Sequence, residues 1–403
     1  MQVRRIRGHR GRAAKAVERG GYGPGLIAHV VTAKCADSLP LHRLEKALAR
    51  AGGVIARSTL VDLFHRAAGE LEPLFRLLLE EIAAQEIVHA DETTQRVQAP
   101  GKTRTAYLWT FLSLLDDPLI AFRFSPSRSG STPDEVLGGT KGALIVDAYT
   151  GYNSVTTPDG RERVGCWAHV RRKFFDARGQ SPVAQEALDL ILDPYRVAAE
   201  ARSRGILRTH THHMLRDERS GTTVEKLHAW LEAQQPQHLP KSPLGMAIRY
   251  ALKQWPVLIR FLDDARLPLD NNPAENALRV AALGRKNFLF VGNDSAGESL
   301  AGLYSLVATC ERTGSTPGVP RRCLDPGEDA PRISDPRAPS AAMEAIAGHA
   351  RDESGRSAQR RAGVTLNRVC GTRRRSPIGY RHLGRALGAR STPDRGCARR
   401  AGG

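Results

Sequence analysis

At 403 residues and 41% hydrophobic content, the chain can bury a sizeable core and form more than one domain. No apolar run reaches the roughly 18 residues of a membrane span, and the basic N-terminus is not followed by a signal-peptide pattern, so a cytoplasmic protein with no membrane partner is expected. The net charge of +18 points to a polyanionic partner.

That charge is unevenly placed. Residues 1–20 hold seven Lys/Arg against one Glu, and residues 321–403 hold eighteen Arg and no Lys against eight acids, which leaves +2 for residues 21–320. A nucleic-acid argument for the central region therefore rests on local features. Residues 1–21 read as a basic, disordered leader, and residues 22–86 as amphipathic helices. Within these, LEKALARAGGVIARSTLVDLF has the order helix, Gly-containing turn, Ser/Thr cap, helix. It is either a plain packing unit or a DNA-reading helix-turn-helix, and the latter needs basic side chains projecting from its second helix.

Strand signals follow in EIVHADETTQRVQ, TRTAYLWTFLSLL, LIAFRFS and GALIVDAYTGY, with a short helix at STPDEVLGG. Tyr107 and Trp109 share a face of the second strand and read as core. CWAHVRRKFFDAR reads as a strand edge running into a basic helix. Residues 182–262 read as helical, interrupted by a mobile polar loop at RTHTHHMLRDERSGTT, whose His210, His212 and His213 could bind metal only adventitiously. A helix bearing Glu275 comes next, then a turn and a final helix in NFLFVGNDSAGESLAGLYSLVATCER. Residues 313–403 form an Arg-rich tail without sustained periodicity, which fits disorder or a GC-rich gene read in a shifted frame. The six cysteines are scattered with no CxxC pair and read as reduced thiols.

Two acids end apolar runs: Asp91 closes EIVHAD and Asp147 closes GALIVD. Either could be a strand-end turn residue. If the two strands pair, however, the carboxylates come close together and repel unless a cation lies between them. Hard oxygen donors suit Mg²⁺, and a two-metal site serves in-line displacement at phosphorus. Glu92 follows Asp91 directly and points to the opposite face of the strand. Glu275 admits two readings. In LPLDNNPAENALRV, Asn272 is a candidate N-cap with Glu275 three residues on, a capping box, and Arg279 stands four residues further for an ion pair. Alternatively, Glu275 is the third acid of the site.

HADETTQRV, IVDAYTGYN, VGCWAHVRRKFFDA, DNNPAENALR and GRKNFLFVG, in this order, resemble the transposases of insertion-sequence family sixty-six across residues 22–312. The resemblance implies a DDE triad of Asp91, Asp147 and Glu275, which would be both catalytic and metal-binding. It implies an α/β fold: an RNase-H-like mixed sheet flanked by helices, with a helical insertion (182–262) before the catalytic Glu inside an 87–312 catalytic domain, and an N-terminal helical segment. It further implies two Mg²⁺ ions, with Mn²⁺ as a substitute, and strand cleavage and transfer at insertion-sequence ends. The implied partners are transposon-end and target DNA, further copies of the chain in a synaptic complex and accessory proteins of the same mobile element, in the cytoplasm at the nucleoid. Family members carry an N-terminal coiled or zinc-binding region where this chain has only a short Arg-rich leader, and its tail diverges from theirs. An inactive remnant that binds DNA and a hydrolysis-only nuclease are the alternatives.

Cations near these blocks are candidate DNA contacts: His169, Arg171, Arg172 and Lys173 in CWAHVRRKFF, and Arg279, Arg285 and Lys286 after Glu275. A solvated helix face accounts equally for the first cluster. Cys166 and His169 have a C-x-x-H spacing without a second pair, short of the four ligands of a stable zinc site.

Overall fold

A computed structural model of the protein describes residues 21–114 and 118–313. The basic leader and the Arg-rich tail, with the two readings of that tail, lie outside the described residues.

In chain order the helices α1 (Pro24–Cys35), α2 (Leu41–Arg50), α3 (Arg57–Glu70) and α4 (Glu72–Ala83) lead into strands β1 (Ile87–Ala99), β2 (Lys102–Ser113) and β3 (Leu119–Ser125). Then come α5 (Ser131–Leu137), β4 (Ala143–Ile145), β5 (Glu162–Val164) and α6 (Trp167–Ala177). The helices α7 (Ala184–Ser203), α8 (His210–Leu215), α9 (Thr222–Gln234) and α10 (Pro243–Leu258) precede α11 (Asn272–Ala277), α12 (Arg279–Phe288) and α13 (Asp294–Arg312). The protein is α/β, with a mixed five-stranded sheet of order β3-β2-β1-β4-β5. β1, β2 and β3 are antiparallel neighbours, while β4 and β5 run parallel to β1.

The α2–α3 turn differs in its capping from the expected Ser/Thr cap. Ala56 is the N-cap and has no side chain to offer; Ser58 and Thr59 already lie in the first turn. Glu45 Oε1 accepts the Arg57 N–H at 3.0 Å instead, because α2 packs close enough to supply the carboxylate. The outward face of α3 carries Arg57 and an Asp62–Arg66 ion pair, not the basic row that DNA reading requires. Leu60, Leu63 and Phe64 of α3 share one apolar core with Leu108, Ile120 and Phe122 of the sheet and Leu300 and Tyr304 of α13. α13 also guards the free edge of β3. Its Ser305 and Thr309 hydroxyls accept the Phe122 and Ile120 N–H groups at 2.7 and 3.0 Å, occupying donors that would otherwise invite another strand.

β1 and β2 are longer than the strands beside them. β4 pairs only with residues 87–89 of β1 and β3 only with residues 107–113 of β2, so the outer part of the hairpin runs past both. On the other side of the sheet, β4 and β5 pack with α6, α7, α9 and α10 around Trp167, Phe174 and Phe261. β5 was not expected; three residues are too few to show a period.

The stretch RTHTHHMLRDERSGTT, expected to be a mobile polar loop, is helical. Thr209 caps α8, a π-helical turn spans Arg216–Gly221, and His212 is buried. Arg216 is also buried, donating to the Phe261 and Asp264 carbonyls at 2.7 and 3.0 Å. Those acceptors lie more than forty residues away, so composition alone reads the segment as solvated. Tyr107 and Trp109 do pack in the core, Trp109 edge-on to Tyr152. Among the described residues no helix is long and apolar enough to cross a membrane.

Candidate active site

The parallel pairing of β1 with β4 sets His89 against Ile145. Two residues further along each chain stand Asp91 and Asp147, so the same register brings the two carboxylates level at the end of β4. Each is tied to its own backbone: Asp91 Oδ1 accepts the Glu92 N–H and Asp147 Oδ1 the Tyr149 N–H, both at 2.9 Å. Burial pushes the Asp91 carboxyl up to about 7; the Glu92 N–H opposes this, and the carboxylates of Glu92, Asp147 and Glu275 add to it. Glu275 is thus near enough for its charge to be felt at Asp91.

Asn271 puts it there. The residue is 1% exposed. Its Nδ2 donates to the Ala90 carbonyl at 2.7 Å, its Oδ1 meets His89 Nδ1 at 3.0 Å, and its N–H donates to Cys166 Sγ at 3.2 Å. The Trp167 N–H donates to the Leu269 carbonyl at 2.9 Å, which seats α6 beside the same loop. The start of α11 is thus clamped to β1 next to Asp91, and Glu275 follows one turn later. Burial lowers the pKa of His89 to about 4, so the ring is neutral where it meets Asn271.

The capping box at Glu275 is not formed. α11 begins at Asn272, with Asn271 at the N-cap position and its side chain engaged with β1. Asp270 Oδ1 accepts the Asn272 N–H at 3.1 Å in its stead. The pairing with Arg279 is also absent, because α11 ends at Ala277 and a new helix starts at Arg279, which breaks the one-turn relation. Glu275 instead lies 3.8 Å from His169 Nε2 and 3.8 Å from an Arg172 nitrogen, both on α6.

Of the remaining candidate cations, Arg171 and Lys173 are exposed on α6, with Lys173 Nζ 4.6 Å from the centre of the Tyr250 ring. Arg285 is not a free cation for phosphate. It donates to Thr93 Oγ1 at 2.8 Å and to the Thr94 carbonyl, fastening α12 to β1 just past Asp91. Arg279 and Lys286 are exposed. The Cys166–His169 pair does not form a metal site, since the thiol takes the Asn271 N–H and the imidazole faces Glu275.

Glu92 stands on the other face of β1 with its side chain 3% exposed. Arg128 donates to it twice and the Tyr152 hydroxyl once, at 2.7 Å. The guanidinium lies 3.9 Å from the centre of the Tyr149 ring, and Tyr149 closes the circle through its hydroxyl to the Arg128 carbonyl. This network neutralises a fourth carboxylate beside the site. Sequence reasoning missed Asn271, Arg128, Tyr149 and Tyr152 as participants. The doubled Asn of DNNPAE and the tyrosines of DAYTGYN were visible; their partners were not.

Three carboxylates with hard oxygen donors suit Mg²⁺ chemically. Among the described residues no three His, Cys, Asp or Glu side chains are gathered tightly enough to enclose an ion. Mg²⁺ does not demand such a cage: it keeps several waters and takes one or two carboxylates plus substrate phosphates.

A family model described as Transposase IS66 family matches residues 19–299. The chain is also similar to three uncharacterized proteins of Sinorhizobium fredii (strain NBRC 101917 / NGR234). It is 32% identical to y4qI over 321 residues, 75% of this chain and 59% of the relative. It is 32% identical to y4jD, covering 75% and 62%, and 30% identical to y4hP, covering 73% and 57%. The chain spans about three fifths of the length of these relatives.

Proposed function

The chain belongs to the transposase IS66 family, and on that premise we propose that it is a DDE transposase, with Asp91, Asp147 and Glu275 as its catalytic, metal-binding triad. The observation that carries the reading is the placement of Asp91 beside Asp147, with the charge of Glu275 felt there as well. The β1–β4 register sets the two aspartates level, and the charges of Asp147 and Glu275 both raise the Asp91 carboxyl. The strand order, with its antiparallel hairpins on one side and parallel strands on the other, supports an RNase-H-like core.

Two bound Mg²⁺ ions, or Mn²⁺ in their place, would activate a water or a 3′-hydroxyl and stabilise the leaving oxygen. Asp91 and Asp147 hold their oxygens on rigid strand ends. Glu275 is oriented by the Asn271 clamp and flanked by His169 and Arg172. Those two groups can let go of Glu275 and turn to a phosphate when DNA enters, with Arg171, Lys173 and Lys286 as further phosphate contacts. The substrates are transposon-end and target DNA, and holding two ends together calls for a homo-oligomer, aided by accessory proteins of the same mobile element. Cytoplasmic action at the nucleoid follows from that substrate.

The test is cleavage of a labelled duplex taken from the end of the parent insertion sequence, with Mg²⁺, by this chain and by Asp147→Asn. Metal-dependent nicking and joining, both lost in the variant, support the reading. Cutting without joining identifies a hydrolysis-only nuclease. If neither protein cuts and both bind with equal, salt-sensitive affinity, the chain is a DNA-binding remnant.

A further inference from the structure

Apart from Arg285 and Lys286, the block GRKNFLFVG takes no part in the chemistry above, yet it forms a built feature. At the end of α12, Leu289 has φ +60 and ψ −48, and the Phe290 N–H donates to the Phe288 carbonyl at 2.6 Å. This is a γ-turn of the rare, strained kind, centred on a bulky side chain where glycine would be easier. The strain does not hide the side chains: Leu289 is 64% and Phe290 39% exposed.

The base under this tip is firm. Phe288 packs against Gly284, where an added Cβ would meet its ring at 2.5 Å, and carries Lys34 Nζ 3.9 Å from its ring centre. Asn287 Nδ2 donates to the Ser38 carbonyl at 3.0 Å. Directly after the tip, Val291 pairs with Val97 as a short extra strand on the overhanging β1–β2 hairpin.

Charge identifies the partner. Residues 279–292 hold Arg279, Arg285 and Lys286, and residues 94–106 of the hairpin hold Arg96, Lys102 and Arg104; neither segment contains a carboxylate. Arg104 is paired with Asp294 and Arg285 with β1, but Arg96, Lys102, Arg279 and Lys286 are exposed. An apolar point rimmed by cations suits duplex DNA, whose phosphates meet the rim while a base step receives the wedge. The ten residues of α12, about 15 Å of helix, separate the tip from the end of α11.

We propose that the Leu289–Phe290 turn is a DNA wedge that unstacks a base step near the cleavage site; this rests on the transposase reading. The test uses the full chain in EDTA, so that binding is read without catalysis. The probe is a 20-base-pair duplex with 2-aminopurine at alternate TpA steps, the ones most easily unstacked. Wild type should raise the fluorescence at least about twofold on binding. Leu289→Gly, which relieves the backbone strain, should keep its melting temperature and the salt dependence of binding yet lose the rise. Binding without a rise in wild type, or a rise retained in both Leu289→Gly and Phe290→Ala, overturns the wedge and leaves the transposase reading standing. A change of oligomeric state in Leu289→Gly with its fluorescence rise intact makes the tip a subunit contact and also overturns it. No binding even at low salt sinks both readings together.

Discussion

Asp91 is the residue whose chemistry is most altered by its setting. Its carboxyl sits at about 7 when folded against an ordinary value of 3.8, so the folded chain holds a proton that the unfolded chain has lost across that window. Stability of the metal-free protein is therefore drained as pH rises from about 4 to 7. Asp91→Asn should then raise the metal-free melting temperature at pH 8, by an amount on the order of 1–4 kcal/mol in stability. Mg²⁺ should raise that temperature in wild type and fail to do so in the variant, as thermal unfolding at pH 8 with and without the ion will show. Asn271 carries the opposite expectation. Asn271→Ala strands the Ala90 carbonyl, His89 Nδ1 and the α11 entry, and should cost about 2–4 kcal/mol by urea unfolding. Asn271→Asp cannot donate to Ala90 and should not restore it.

At the level of single helices and strands, the segment from Thr209 to Gly221 shows what polar composition conceals. It is held by Arg216, a buried cation that donates to the main-chain carbonyls of Phe261 and Asp264. Arg216→Met removes those donors and should open the segment, seen as faster amide exchange in α8 and the π-helical turn and early proteolysis there, while β1–β3 keep their protection. α13 makes a second case. An added Cβ at Gly297 would lie 2.5 Å from the Phe124 ring, so Gly297→Ala should force the helix off β3 and lose about 1–3 kcal/mol by chemical denaturation. β3 and α5 were legible nearly to the residue, since each is a short run with its own period and clear punctuation. β5 was illegible, because a three-residue strand exists only through its neighbour β4.

For the whole molecule, acid stability is set by buried histidines. Burial lowers His89 and His212 to about 4, so between pH 6.5 and 4 the unfolded chain binds protons that the folded chain refuses, and stability falls as pH falls. Asp91 works against this trend, gaining its proton over the same range. Urea midpoints should therefore fall from pH 7 to 5, and fall more steeply in Asp91→Asn, where the Asp91 proton no longer offsets the histidines; equal slopes would contradict the assignment. The same opposition could not be anticipated from the sequence: His89 opens the HADETTQRV block and His212 lies in a polar stretch, and their burial is decided only by packing.

The sequence by itself determined the family, the α/β class, the apolar runs that become the main strands and the acids that end two of them. Those features are local: a period, a run length or a terminal residue is visible within a dozen positions. Tertiary structure alone decided that Asp91 and Asp147 stand level and that Asn271 clamps the Glu275 helix to β1. It also decided that Glu92 is neutralised by Arg128 and that Arg285 braces a strand instead of meeting solvent. The Asn271–His89 contact joins residues 182 apart and the Arg285–Thr93 contact residues 192 apart. Nothing in local composition ranks such partners, because the choice among polar groups is made by which backbones the packed cores bring within hydrogen-bond reach.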